Sequence, residues 1–193
     1  MYQASLIFES ELSPKTGAKI PQGIHTNCEV VSVEQGDTGK NTFVDINFKD
    51  SEGRFHNKRL WSPTGNYPKD GETTADAIKR EELSNLSHVV KIVHIFLGNE
   101  ALAALSAENY QSLMGKLVSK LTPEVLSKKK VNLKLIYDSD GQWSVFGNFP
   151  DYVEECIAGQ EPKLKFSPWE LANRCTLKTA ALATTAYDIN KIL

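Results

Sequence analysis

One hairpin-like stretch, residues 42–61, constrains the fold of this chain more than any other. In TFVDINFK, the apolar residues Val44, Ile46 and Phe48 alternate with more polar positions. This period of two is typical of a strand with one buried face. The segments DSEG and RFHNKRLW that follow read as a short turn and a return strand. The sequence therefore predicts an antiparallel β-hairpin that packs one face on a core.

The return strand of this hairpin does not keep the alternation. Leu60 shares one face with basic and imidazole side chains, while Phe55 and Trp61 share the other face with polar ones. Because neither face is cleanly apolar, a bulge, an edge position or a ligand-facing surface is needed.

The period changes to a helical one after this hairpin. Apolar residues at three- and four-residue spacing predict a helix over 75–97 that ends at Gly98. A second helix is predicted over 107–121, with Ser106 as its N-cap. Thr122-Pro123 then reads as a cap followed by proline at the first position of one more helical turn.

Two further stretches return to the strand period. A strand is predicted over 24–33, and 131–137 with 142–146 predicts a second hairpin. The turn-rich segment 13–23 is expected to lead into the fold without forming part of its centre.

The order of these elements predicts a mainly β fold with added helices. Five antiparallel strands with a helix between the third and the fourth match the OB-fold, a small Greek-key barrel. We expect one domain over 1–193, with a helical insertion at about 73–127 between strands 3 and 4 and a C-terminal extension at about 150–193.

The charge of the chain is uneven along its length. The net charge is −2 and the pI about 6.1, which argues against a generally basic nucleic-acid binder. Residues 40–69, however, hold six basic and three acidic side chains, and residues 116–134 hold six and one. The two hairpins are therefore predicted to be locally basic.

No sequence signature of an enzyme stands out. GDTGKN lacks the spacing of a phosphate-binding P-loop and reads as a turn. Asp45, Asp50 and Glu52 are the only dense carboxylates, and their positions do not predict a convergent metal site. We therefore expect no catalytic residue, no metal and no cofactor, although a small nuclease stays open as a rival.

Cysteine use and apolar content favour a soluble protein of a reducing compartment. Cys28, Cys156 and Cys175 form no CxxC pair and are expected to be free thiols. The longest apolar stretch, within VVKIVHIFL, is interrupted by charged and imidazole side chains and is too short to span a bilayer. No membrane association is expected.

Basic and aromatic side chains together are typical of single-stranded nucleic-acid binding, because cations neutralise phosphates and flat rings stack on bases. The candidate nucleic-acid-binding residues are Lys40, Phe43, Arg54, Phe55, Lys58, Arg59, Trp61, Lys134 and Trp143. Trp143 could equally fill the core. Tyr67 and Lys69 either clamp a strand or have no such role, and the run 128–130 either contacts phosphates or is a solvated helix end.

The segments GIHTNCEVVSVEQGDTGKNTFVDINFKDSEGRFHNKRLW and VNLKLIYDSDGQWSVFGNFPDYVE carry a resemblance to a known family. The chain resembles the single-stranded DNA-binding proteins of tailed bacteriophages, above all those of the crAss-like phages, over 23–61 and 131–175. The resemblance implies an OB-fold that coats single-stranded DNA during replication and recombination, without catalysis or a required metal, in the cytoplasm of the infected bacterial host.

In such proteins a basic and aromatic hairpin faces the DNA, and that hairpin maps onto Phe55, Lys58, Arg59 and Trp61. Single-stranded DNA is the expected partner, with RNA and replication proteins left open. This chain ends AYDINKIL in place of an acidic tip, so recruitment of partners through such a tip is not expected. The main rival is an OB-like module for protein–protein contact or phage assembly that binds no nucleic acid.

Overall fold

The hairpin predicted from the alternating sequence is present in the fold. β2 (Thr42–Lys49) and β3 (Phe55–Trp61) pair antiparallel, with Phe43 opposite Trp61. Val44, Ile46 and Phe48 are buried, as their shared parity predicts. The chain is seen here in a computed structural model, which describes residues 18–140, 144–147 and 150–175.

The fold is mixed α/β, with an open antiparallel sheet. Its other strands are β1 (Gly23–Asp37), β4 (Val131–Tyr137), β5 (Ser144–Phe146) and β6 (Val153–Glu155). The order is β3-β2-β1-β4-β5, and β6 also pairs with β4. β5 and β6 pair with successive parts of the same edge of β4. β5 is the return strand expected after β4, and β6 is a further strand from the region expected as the C-terminal extension.

A barrel closed by strand pairing is not shown, because no ladder joins β3 to β5 among the described residues. A short segment, residues 18–20, lies between them instead. Ile20 N donates to the Phe55 carbonyl (3.0 Å), and the Ile20 carbonyl accepts from Ser144 Oγ (2.7 Å). The Ile20 side chain is 0 % exposed. The expectation that 13–23 lies outside the centre of the fold is therefore wrong for Ile20. The sequence could not show this, because a single apolar residue in a turn-rich segment forms no periodic pattern.

The first helix follows β3, as predicted. α1 (Thr74–Ala103) begins after Thr73, whose hydroxyl accepts from Asp76 N while the Asp76 carboxylate accepts from Thr73 N. Gly98 has φ 78° and interrupts the helix where its end was predicted, but the helical residues continue to Ala103. Buried residues of α1, among them Val89 and Ile92, pack in the same core as the sheet.

The two shorter helices of the insertion follow α1. α2 (Tyr110–Lys120) begins later than predicted, because the Asn109 side chain and not Ser106 accepts from the first turn, at Ser112 N (2.9 Å). α3 (Pro123–Leu126) has Thr122 as its N-cap, as predicted.

The C-terminal extension covers one face of β4. Six of the seven β4 residues are buried, so both faces of this strand are covered. α4 (Pro168–Arg174) places the Glu170 carboxylate 3.0 Å from Lys134 Nζ, and these two side chains are 0 % and 2 % exposed. Lys134 Nζ also donates to the Lys165 carbonyl (3.0 Å). The ammonium predicted to contact phosphate therefore lies inside the protein.

Replacing Ile20 tests whether the 18–20 segment is part of the core. Ile20→Ala should lower the free energy of unfolding by about 2–5 kcal/mol, because the cavity cannot close fully. Ile157→Ala, at a side chain 45 % exposed, is the matched control and should change it by less than about 0.5 kcal/mol. Urea denaturation measures both. Equal small effects would contradict a core role for Ile20.

The Lys134–Glu170 pair makes a second prediction about stability. Lys134→Met should cost about 3–5 kcal/mol, because it leaves the Glu170 carboxylate buried and unpaired. Lys134→Met/Glu170→Gln removes that charge, keeps a side chain able to cap α4, and should recover much of the loss. Thermal and urea unfolding follow both variants, and a Lys134→Met protein as stable as wild type would contradict the buried pair.

Candidate nucleic-acid interface

The outer face of the β2–β3 hairpin carries a compact group of flat side chains. The rings of Phe43 and Trp61 meet edge to face, with centroids 5.4 Å apart. Arg59 Cζ lies 3.9 Å from the centre of the Phe43 ring and 5.2 Å from that of Trp61. Trp61 is 48 % exposed. The Trp61 ring is thus presented to solvent, in contact with the Phe43 ring and near the Arg59 guanidinium.

Gly36 of β1 makes room for this group. It lies opposite Phe43 in the ladder, and a Cβ added there would be 2.3 Å from the Phe43 ring. Because no real Cβ approaches an atom so closely, the Phe43 ring lies against bare backbone. The sequence contains this glycine, but its role appears only when β1 and β2 are paired.

Arg59 is not a free cation on this face. Its Nε and Nη2 donate to the two carboxylate oxygens of Asp45, at 2.9 and 2.7 Å. These hydrogen bonds raise the pKa of the guanidinium further. Arg59 therefore contributes a fixed planar surface whose charge Asp45 balances.

Lys58 points to the other face of β3. It lies opposite Ile46 in the ladder, and its Nζ is 5.8 Å from the centre of the Phe146 ring of β5. Burial lowers the pKa of this ammonium. In the part of the chain that the structure describes, Lys58 has no carboxylate partner. A half-buried cation without a counter-ion is a ready partner for an anion.

A groove of about 480 Å³ lies between β3 and α1 and brings several of these side chains together. Charged, imidazole and aromatic residues of its wall are Lys58, Arg59, Trp61, Tyr67, Arg80, Glu81 and His88. Burial lowers the pKa of His88, which favours its neutral form in the groove. Asn85 Nδ2 donates to the Trp61 carbonyl (2.8 Å) and so fixes α1 to the end of β3.

The groove also contains residues that sequence reasoning missed or left open. Arg80, Asn85 and His88 belong to α1, and no local pattern distinguishes them from other polar helix residues. Tyr67 lies in a loop rich in Gly and Pro, where an isolated aromatic ring is a weak signal. Only the packing of α1 beside β3 unites them with Lys58 and Trp61.

The remaining predicted residues lie apart from the groove or serve the hairpin. Lys40 is exposed in the β1–β2 turn. Arg54 Nε is 2.6 Å from Asp50 Oδ2, within the β2–β3 turn. Phe55 is half-buried, with Lys49 Nζ 5.7 Å from its ring centre. Trp143 lies outside the described residues.

The basic segment 116–134 does not present a row of free cations. Lys128, Lys129 and Lys130 pair with Glu124, Glu155 and Glu29 respectively. Lys116 Nζ donates to the Ser106 carbonyl (2.7 Å), and Lys134 is buried against Glu170. Four of the six lysines of this segment therefore have a glutamate partner, and of these four pairs only Lys134–Glu170 is buried.

The carboxylates considered for a nuclease are held by arginines. Asp45 pairs with Arg59, while Asp50 and Glu52 pair with Arg54. Among the described residues no group of three or more His, Cys, Asp or Glu side chains could hold a metal ion. Within the same ranges, every helix is too short or too polar to cross a membrane.

Comparisons with known proteins find no match to this chain. No protein-family model, no curated protein and no solved structure matches this chain. The resemblance to phage single-stranded DNA-binding proteins stays a prediction from the sequence.

Proposed function

We propose that this protein binds single-stranded DNA without catalysis, through the β3–α1 groove and the outer face of the β2–β3 hairpin. The observation that carries the proposal is the half-buried Lys58 ammonium, which has no described carboxylate partner and shares a groove with the exposed Trp61 ring. A phosphate can pair with the Lys58 ammonium, and an unpaired base can stack on the Trp61 ring.

Phosphate binding and base stacking are assigned to opposite faces of β3. Successive side chains of a strand point to opposite faces, so Lys58 and Trp61 reach the groove from different sides of the β3 edge. A single strand that crosses this edge can place its backbone at Lys58 and a base on Trp61. A duplex keeps its bases stacked and paired, and offers no free base face for the ring.

We also propose that the sheet is an OB-like barrel closed through side chains and the 18–20 segment. The His56 and Phe146 rings, from β3 and β5, have centroids 5.2 Å apart, which supports this closure. In OB-folds the face of strands 2 and 3 is the usual oligonucleotide surface. Together with the resemblance to phage proteins, this supports a role in coating DNA during phage replication and recombination, in the cytoplasm of an infected bacterium.

Titration with a labelled oligo-dT tests the proposal directly. The wild-type protein should bind at low salt, and Trp61→Ala should lose about 1–3 kcal/mol of binding free energy, the usual contribution of one stacked base. Trp169→Ala is the matched control, since Trp169 is 52 % exposed on α4 and does not line the groove. Fluorescence anisotropy measures the affinities, and thermal unfolding checks that both variants are folded. No binding by the wild-type protein would refute the proposal.

The salt dependence of binding tests Lys58 separately. Lys58→Gln should reduce the slope of log K against log salt by about 0.7, the value for one single-strand phosphate contact. Lys120→Gln removes an exposed lysine that does not line the groove and should leave the slope unchanged. Equal slopes for Lys58→Gln and wild type would remove Lys58 from the interface.

A protein-docking role has one observation in its favour. Trp169 and Leu171 of α4 are both more than half exposed, at 52 % and 55 %. If the protein binds no oligonucleotide, this apolar pair favours the protein-interaction module. Analytical ultracentrifugation of wild type and Trp169→Ala/Leu171→Ala would then show whether the pair mediates self-association.

A further inference from the structure

The loop between β3 and α1, residues 62–73, presents one aromatic ring to solvent and holds its own backbone fixed. The Tyr67 side chain is 82 % exposed, although it lines the same groove as Trp61. An isolated exposed ring is ordinary on a protein surface. Tyr67 differs from an ordinary exposed aromatic residue because hydrogen bonds fix the backbone around it.

Arg80 of α1 joins the middle of this loop to its C-terminal end. Its Nη2 donates to the Tyr67 carbonyl (2.9 Å), and its Nε lies 2.9 Å from Glu72 Oε1. The Glu72 carboxylate also accepts from Lys69 N (2.8 Å). These bonds lower the pKa of Glu72, so the pair stays charged at neutral pH. The backbone at Tyr67 is thereby attached to α1 on one side and to the loop end on the other.

A second attachment lies just before Tyr67. The Glu81 carboxylate accepts from Thr64 N (3.0 Å) and Gly65 N (3.2 Å). Gly65 has φ 66°, and a Cβ there would be 2.7 Å from the Thr74 carbonyl. The loop therefore packs closely on the start of α1, in a backbone conformation that favours glycine.

The loop backbone is ordered while the Tyr67 ring makes little contact with the protein. Ordering such a loop costs conformational entropy, and a ligand that finds it already ordered does not bear that cost. A flat ring whose backbone is fixed beside a groove that also contains Lys58 and Trp61 suits an unpaired base.

We infer that Tyr67 is a second base-stacking platform, held in place by the Arg80–Glu72 pair, for a single strand bound in the β3–α1 groove. The inference rests on the proposed function, and it adds to it a binding residue and a positioning pair. Since every base has a flat face, this platform accepts unpaired nucleotides of any sequence.

Substitution of the ring is the first test. Tyr67→Ala should weaken oligo-dT binding about tenfold, whereas Tyr67→Phe, which keeps the ring, should stay within about twofold of wild type. Both variants should unfold at the wild-type temperature, since the side chain is exposed. If wild type binds and Tyr67→Ala binds equally well, the inference is overturned and the proposed function stands.

The second test separates positioning from charge. Glu72→Ala and Asp70→Ala each remove one negative charge from the loop, but Asp70 has no side-chain hydrogen bond or ion pair among the described contacts. Charge alone predicts equal or tighter DNA binding for both. Loss of the attachment should instead make Glu72→Ala about threefold weaker than Asp70→Ala. Equal affinities would overturn the positioning role.

A double-mutant cycle completes the design. In a Tyr67→Ala background, Glu72→Ala should have no further effect on affinity, because the ring that it positions is absent. A loss as large as in the wild-type background would show that Glu72 acts independently of Tyr67, which overturns the link between them. If wild type itself binds no oligonucleotide, the proposed function fails and this inference fails with it.

Discussion

The free edge of β3 is the constraint on which the rest of the structure depends. A sheet edge exposes backbone groups that need partners. At the start of β3, Ile20 and Ala18 pair with Phe55, so a short segment covers the edge and closes the core. At the end of β3, the Asn85 side chain of α1 donates a hydrogen bond to the Trp61 carbonyl and so covers that part of the edge. The groove with Lys58 lies beside this second half, because a helix packs there and no strand does.

Ion pairing decides which basic residues are available to a ligand. The lysines at 128–130 each have a glutamate partner, Lys134 is buried against Glu170, and Arg59 is held by Asp45. Basic residues counted along a sequence thus overstate the positive surface. Lys58 differs because it is half-buried on the inner face of an edge strand, where no described acidic residue reaches it.

Much of the secondary structure could be predicted, since it depends on periods that neighbours in sequence define. The β2–β3 hairpin, α1 as far as Gly98, and the Thr122 cap of α3 all follow from local patterns. Ile20 could not be placed, because a single apolar residue in a turn-rich segment has no period. The candidate site was predicted in part, through Lys58, Arg59 and Trp61. Arg80, Asn85 and His88 were not, since a long loop separates them from β3 in sequence.

The sequence by itself determined most of the strands and helices and the unusual mixture of charge and aromatic rings in β3, because each depends on side chains a few residues apart. It did not predict β6 or α4. Only the tertiary structure decided which charges are neutralised, which edge of the sheet stays accessible and which helix forms the other wall of the groove. Those outcomes depend on contacts between residues far apart in the chain, such as Lys134 with Glu170 and Asn85 with Trp61. Local composition carries no information about such partners.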